Sequence, residues 1–384
     1  MTEWDKVINR INEIIPEIEK EIFGDKSSNK IYKKFGYWFI PNDNIFSHLR
    51  NINNITGLRL RPPLNPKSLI KIFRDKKWEN LGPIVGWPLS NGNIQIQSRA
   101  DAIWGYGFLV AIYNELDYVV KSDLGLNDGD TSRVIKEAHN LKTISELTKR
   151  FKTNINVPNF IELNSEIDYP YFIQEKIKGK TLNDFAGIKN KLGFNKKTQP
   201  ILKDCFEFSW KIYSEYGIKY KNIYDAMPIF NSINEMEKTL MNRKIVEKKI
   251  INNIFHNLRD FISLNKTIPC SFIHRDLSFN HIIISDEKCF LFDWGNSKDA
   301  PIIIDQIFYL INLNNKKLVK NKFNKLNTTK DFSFKEQEYL INMRHLLSLI
   351  RSIRKRTMKR NLSFNNLESR IKAQADKCYN YLDN

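Results

Sequence analysis

Cysteine is scarce in this chain of 384 residues. The four present, Cys205, Cys270, Cys289 and Cys378, include no C-x-x-C pair, which excludes the usual thiol metal and redox motifs. A reduced, cytoplasmic protein is the simplest expectation. No run of about 18 apolar residues occurs, so no transmembrane helix is predicted. The first residues, Met1 to Lys6, are polar and partly acidic, with no apolar signal core behind them. No internal repeat is visible, which removes repeat architectures. Acid is also in short supply. Asp and Glu number 43 against 61 Lys and Arg, a formal net charge of +18. Three sources are open for that surplus: a nucleotide partner, a larger anionic partner such as nucleic acid, phospholipid or an acidic sugar, or an Asn/Ile/Lys-rich composition with solvated lysines.

Apolar residues make up 41% of the chain and aromatics 12%, enough for two or three packed units. Ile8, Ile11, Ile15, Ile18 and Ile22 recur at helical spacing, predicting an amphipathic helix over 3–22. Residues 30–92 carry Pro41, Pro62, Pro63, Pro66, Pro83 and Pro88 and read as irregular, so 1–92 is taken as an accessory region. From about 93 the pattern turns to strands. Ile94 and Ile96 share a face, and Gly107 to Tyr113 and Leu116 to Lys121 read as a hairpin. A helix follows, capped by Asp130 or Thr131, with Val134, Ala138, Leu141, Ile144 and Leu147 as its stripe. Two more strands are expected near 159–163 and 171–176, then a linker at Lys178-Gly179-Lys180. Residues 93–178 thus form a small β-rich lobe with one helix. Residues 179–384 form a larger, mainly helical lobe, interrupted by short strands over 268–295. The fold class is α+β.

The strongest chemical signal runs from Phe272 to Gly295. An apolar strand enters the polar loop His274-Arg275-Asp276, a second leaves it, and a third delivers Asp293-Trp294-Gly295. Asp276 and Asp293 stand at the ends of this short hairpin, which can bring both carboxylates to one cleft. Phosphoryl transfer wants such a pair: one carboxylate to position or deprotonate a hydroxyl, the other to hold magnesium on nucleotide phosphates.

These loops resemble the catalytic and metal loops of the protein-kinase-like superfamily, and within it the aminoglycoside phosphotransferase and choline kinase group. The resemblance spans about residues 93–312 and implies a two-lobed kinase-like fold using ATP and Mg2+. It implies Asp276 as catalytic base and Asp293 as metal ligand. The family's second metal ligand is an asparagine five residues after the base. Here that position is His281, with Asn280 one short, so either residue is a candidate, Asn280 being favoured because imidazole suits hard magnesium poorly. Lys121 resembles the phosphate-binding lysine. Glu137, on the apolar face of its helix, is its expected partner, the alternative being a solvated edge position. Gly105 and Gly107 are candidates for a phosphate turn or simply for a tight hairpin, since no G-x-G-x-x-G is present. Glu175 lies where a hinge would meet adenine. His274 is implied to hold the loop by packing and hydrogen bonding, and Asp305 to support it.

The implied activity is transfer of the γ-phosphoryl group to a hydroxyl of a small molecule, such as a sugar or an anionic envelope glycan. A cationic acceptor would be repelled by the basic chain. A protein kinase is disfavoured because no A-P-E follows Gly295 and Ile303 stands only ten positions after Asp293. A pseudokinase that binds nucleotide without turnover stays open, on His281 and the poor phosphate turn. Nucleic acid is not expected as partner. The aromatics from Phe206 to Tyr224 read as helix core or, alternatively, as acceptor pocket. Arg344, Arg351, Arg354, Lys355, Arg356, Lys359 and Arg360 make a basic C-terminal helix that could touch anionic membrane or stay solvated.

Overall fold

The computed structural model describes residues 132–166, 170–185, 196–285, 288–326, 331–358 and 365–381, the strand segments 32–34, 37–39, 84–85, 89–90, 94–101, 106–113 and 116–123, and helical positions 13, 14, 16, 17 and 20. The predicted stripe of residues 3–22, the caps at 130 and 131, and Gly105 lie outside the described residues. The chain divides into two compact units, Met1–Ser145 with Pro158–Lys178, and Glu146–Val157 with Gly179–Asn384.

The first unit is β-rich. A ribbon pairs β1 (Tyr32–Lys34) with β2 (Tyr37–Phe39). Next come β3 (Ile84–Val85), β4 (Leu89–Ser90), β5 (Ile94–Asp101), β6 (Tyr106–Tyr113) and β7 (Tyr118–Asp123), followed by helix α1 (Ser132–Thr148). With β9 (Phe160–Asn164) and β10 (Tyr171–Glu175) these strands form an antiparallel sheet in the order β3-β5-β6-β7-β10-β9, with β4 also on β5. The sheet therefore reaches upstream of position 93, through two strands inside the proline-bearing stretch. Val119, Val120, Tyr171, Phe172 and Ile173 are buried. So are Val134, Ala138, Leu141 and Ile144 of α1, at the spacing that keeps them on one helical face; Leu147 is half-buried.

The second unit is mainly helical, as the α+β reading expects. β8 (Ile155–Asn156) and β11 (Lys180–Thr181) flank the hairpin β14 (Ile282–Ser285) and β15 (Lys288–Leu291), in the order β11-β14-β15-β8. Gly179 is required here. A Cβ at that position would stand 2.2 Å from the Ile284 carbonyl oxygen and 2.7 Å from Ile283 Cγ2. The residue read from sequence as a linker thus lets the chain lie flush against β14. A second sheet runs β12-β13-β16, with β12 (Lys219–Asn222) and β16 (Lys298–Pro301) on either side of β13 (Thr267–Ile273). Residues 268–273 of β13 are all buried, as a central strand demands.

The helices include α2 (Gln199–Tyr216), α3 (Ile233–Arg243), α4 (Lys248–Ser263), α5 (Ile303–Asn312), α6 (Lys316–Asn324), α7 (Phe334–Met358) and α8 (Asn365–Asn380). Pro200 opens α2, where its missing N–H costs nothing, and Gly217 at φ 95° ends it. Phe206, Phe208, Trp210 and Tyr213 of α2 are buried, whereas Tyr220 and Tyr224 are exposed, so the aromatic run is mostly core. In α7, Leu346, Leu347, Ile350 and Ile353 are fully buried in a core shared with α3, α4 and α8. Each is worth about 1.5–3 kcal/mol over exposure. That outweighs surface charge pairs at roughly 0–1 kcal/mol, so the apolar face fixes the helix. Of the predicted basic cluster, Arg351 is exposed and Arg344 half-buried; the side chains of Arg354, Lys355 and Arg356, and all of Lys359 and Arg360, lie outside the described residues. No described helix is long and apolar enough to cross a membrane.

Candidate active site

The loop that carries Asp276 leaves the buried end of β13 and is held from below by one side chain. Asp305, in the first turn of α5, is buried. Its Oδ2 accepts the N–H of His274 and its Oδ1 that of Arg275, both at 2.8 Å, and the Tyr213 hydroxyl donates to Oδ2 at 3.3 Å. Arg275 adopts φ 67°, a left-handed conformation that few residues other than glycine occupy. The two amide bonds hold it there.

Burial pushes the Asp305 carboxyl up to about 6, although the two amides and the tyrosine hydroxyl pull the other way. Folding therefore takes up a proton between about pH 4 and 6, and the stability from this residue falls as pH rises through that window. Asp305→Asn leaves one of the two amides without an acceptor, a loss of about 1–3 kcal/mol. In urea unfolding series, the wild type's margin over Asp305→Asn is expected to be widest near pH 4 and to narrow as pH rises through about 6.

His274 is buried and neutral in ordinary conditions, its pKa lowered to about 4 chiefly by burial. Its Nε2–H donates to the Phe292 carbonyl at 2.9 Å, and its Nδ1 accepts the Asp276 N–H at 3.3 Å. One imidazole thus clamps the loop before Asp293 to the loop of Asp276, the structural role expected for it. Trp294 packs on both partners. Its ring lies 4.7 Å from His274 and 6.2 Å from Phe272, and its Nε1–H donates to Leu291 O at 2.9 Å. Asp293, just before it, also sits at φ 67°.

These constraints gather three side chains. One ligand atom each from Asp276, His281 and Asp293 lie within 4.8 Å of one another. Asp276 is exposed, and its Oδ2 accepts a bond from Asn296 Nδ2 at 3.3 Å. His281 donates from Nδ1 to the Asp276 carbonyl at 2.6 Å, and its Nε2 stands 3.3 Å from Asp293 Oδ2. Two carboxylates and a ring nitrogen are a donor set that suits a divalent cation. His281 is the loop residue that reaches both aspartates. Asn280, favoured from sequence, is exposed, and its amide makes no hydrogen bond among the described residues. The cause is local: the 3-10 turn Phe279–His281 turns the second of the two neighbours toward Asp293. Asn296 was not singled out from sequence, since an asparagine after a glycine in a turn carries no periodic signal.

In the first unit, the Lys121 ammonium pairs with the Glu137 carboxylate, linking β7 to α1. Both side chains are mostly buried, so a long lysine is held in one orientation. Gly107 lies in the β5–β6 ladder opposite Ala100, one pair in from Asp101 and Tyr106, so it belongs to the strands that flank the turn. The Glu175 carboxylate accepts from Asn159 N and Nδ2 at 3.1 and 2.8 Å. Its own N–H donates to Asn159 O, and that of Lys176 to Asp117 O. Both amides at the expected hinge are therefore committed inside the unit.

No family model matches the chain, and no curated protein does. Solved structures similar to it include an aminoglycoside 2'-phosphotransferase with GDP bound, at 12% identity over 83% of this chain and 95% of that one, TM-score 0.41. Another is a choline/ethanolamine kinase family protein from Mesorhizobium loti, at 10% identity over 78% and 88%, TM-score 0.42. A third is a macrolide 2'-phosphotransferase from Brachybacterium faecium, at 8% identity over 82% and 98%, TM-score 0.38.

Proposed function

We propose that this chain is a kinase-like phosphotransferase that moves the γ-phosphoryl group of ATP to a hydroxyl of a small molecule or glycan. The observation that carries the reading is the gathering of Asp276, His281 and Asp293 on two loops clamped by His274 and Asp305. In this reading Asp276 accepts the proton of the acceptor hydroxyl. One of its oxygens is held by Asn296, which fixes the plane of the carboxylate. The hydroxyl oxygen bonds to the γ-phosphorus as the bond to the bridging oxygen breaks, and ADP leaves with that electron pair. Asp293 and His281 would hold the divalent cation, which neutralises charge on the phosphates. Within the β-rich unit, Lys121, oriented by Glu137, offers an ammonium of the kind that suits nucleotide phosphates.

Two observations favour a non-cationic, preferably anionic, acceptor. The chain carries a net charge of +18. In the helical unit, the Arg344 guanidinium is drawn below its usual range by burial and by the charge of Arg275, and no acidic partner for it exists among the described residues. A peptide acceptor is disfavoured because only Asn296 and Ser297 separate Gly295 from β16, which is already paired to β13. No docking segment intervenes.

The test offers labelled ATP and a divalent cation with neutral sugars, acidic glycans, aminoglycosides and peptides. Label is expected on a neutral or acidic hydroxyl compound and absent from aminoglycosides. Nucleotide binding without transfer to any acceptor, and without slow ATP hydrolysis, would instead identify a nucleotide-binding module.

A further inference from the structure

We infer that this site takes a first-row divalent cation of the manganese-to-zinc series in preference to magnesium, with His281 Nε2 as a direct ligand. The inference deepens the phosphotransferase reading and rests on it only in treating His281 and Asp293 as a working metal site.

Four observations carry it. The His281 Nδ1 proton is spent on the Asp276 carbonyl at 2.6 Å, so the lone pair of the neutral ring is on Nε2. That nitrogen is aimed at Asp293, 3.3 Å from Oδ2. Two ligands bonded to one ion at about 2.0–2.2 Å stand roughly 3.0–3.4 Å apart, so the spacing is that of neighbours in one coordination sphere. The ring is also held. It stacks on His274 at 5.8 Å and meets Phe292 edge-on at 5.7 Å, and the carbonyl behind Nδ1 is the backing that ligating imidazoles usually have. A nitrogen in place of an amide oxygen matters for selectivity. Magnesium prefers an all-oxygen octahedron, whereas manganese, cobalt and zinc accept imidazole with rising affinity along the series. An imidazolium–carboxylate ion pair would show the same 3.3 Å spacing, so the experiment must detect a nitrogen on the metal.

The full-length protein is loaded with Mn2+ alone, without nucleotide or acceptor, and read by pulsed electron spin resonance. A histidine 14N coupling is expected, replaced by a 15N coupling when histidine is 15N-labelled. In His281→Asn the coupling disappears, and the ratio of Mn2+ to Mg2+ affinity falls by about tenfold or more. Bound Mn2+ with no nitrogen coupling in the wild type would overturn the inference, as would an unchanged affinity ratio in a folded His281→Asn. The isotope exchange in the wild type decides the matter even if that variant does not fold. Because no nucleotide or acceptor is present, a failure of phosphoryl transfer leaves this result standing. Turnover with magnesium and no nitrogen coupling would keep the phosphotransferase reading and remove this one.

Discussion

Asp276→Asn is expected to lower kcat for ATP-dependent transfer by about 10²–10⁴, the usual worth of a positioned general base. The amide keeps the size of the carboxylate but cannot take up the acceptor's proton. The backbone around position 276 is held by His274 and Asp305 through main-chain N–H groups, so the loop should keep its shape in the variant. Steady-state transfer to the identified acceptor, with nucleotide Kd by calorimetry, checks this. A fall in kcat with little change in Kd is the expected split. Equal turnover by variant and wild type would remove Asp276 from the chemistry. A loss carried wholly by Kd would make it a metal-binding group.

Asp293→Asn should be as damaging by another route. Its carboxylate faces His281 Nε2 and, in the proposed reading, would supply negative charge to the cation on the phosphates. Metal stabilisation of a transferring phosphoryl group is worth several kcal/mol, and at about 1.4 kcal/mol per tenfold the loss reaches roughly three decades in kcat/KM. Unlike Asp276→Asn, this variant should also lose affinity for Mn2+ and for metal-bound nucleotide. A titration of metal in the absence of nucleotide separates the two variants. If Asp293→Asn binds metal like the wild type, the cation lies elsewhere.

Much of the geometry around these residues is legible in the sequence, and the reasons are physical. Lys121 and Glu137 were paired because a carboxylate on an apolar helical face needs a counter-charge, and β7 supplies one. Asp276 and Asp293 stood out because two apolar strands with a short turn return the chain to its starting point. That His281 rather than Asn280 faces Asp293 is not readable from sequence, since it turns on one residue's rotation in a 3-10 turn. Nor was Asn296, whose contact with Asp276 is made across two loops. The strands β3 and β4 escaped notice because two-residue strands beside Pro83 and Pro88 show no alternation. Gly179 looked like linker because a glycine excluded from bearing a side chain by Ile284 has the same sequence signature as a loose one.

Arg275 and Asp293 both stand at φ 67°. Left-handed backbone costs an ordinary residue on the order of 1–2 kcal/mol, and glycine escapes most of that. Laboratory selection for heat resistance would accordingly drift toward glycine at either position, whereas selection for turnover would push back. Any thermal handicap of this kind sits in the two loops of the candidate site, at the residue before Asp276 and at Asp293 itself.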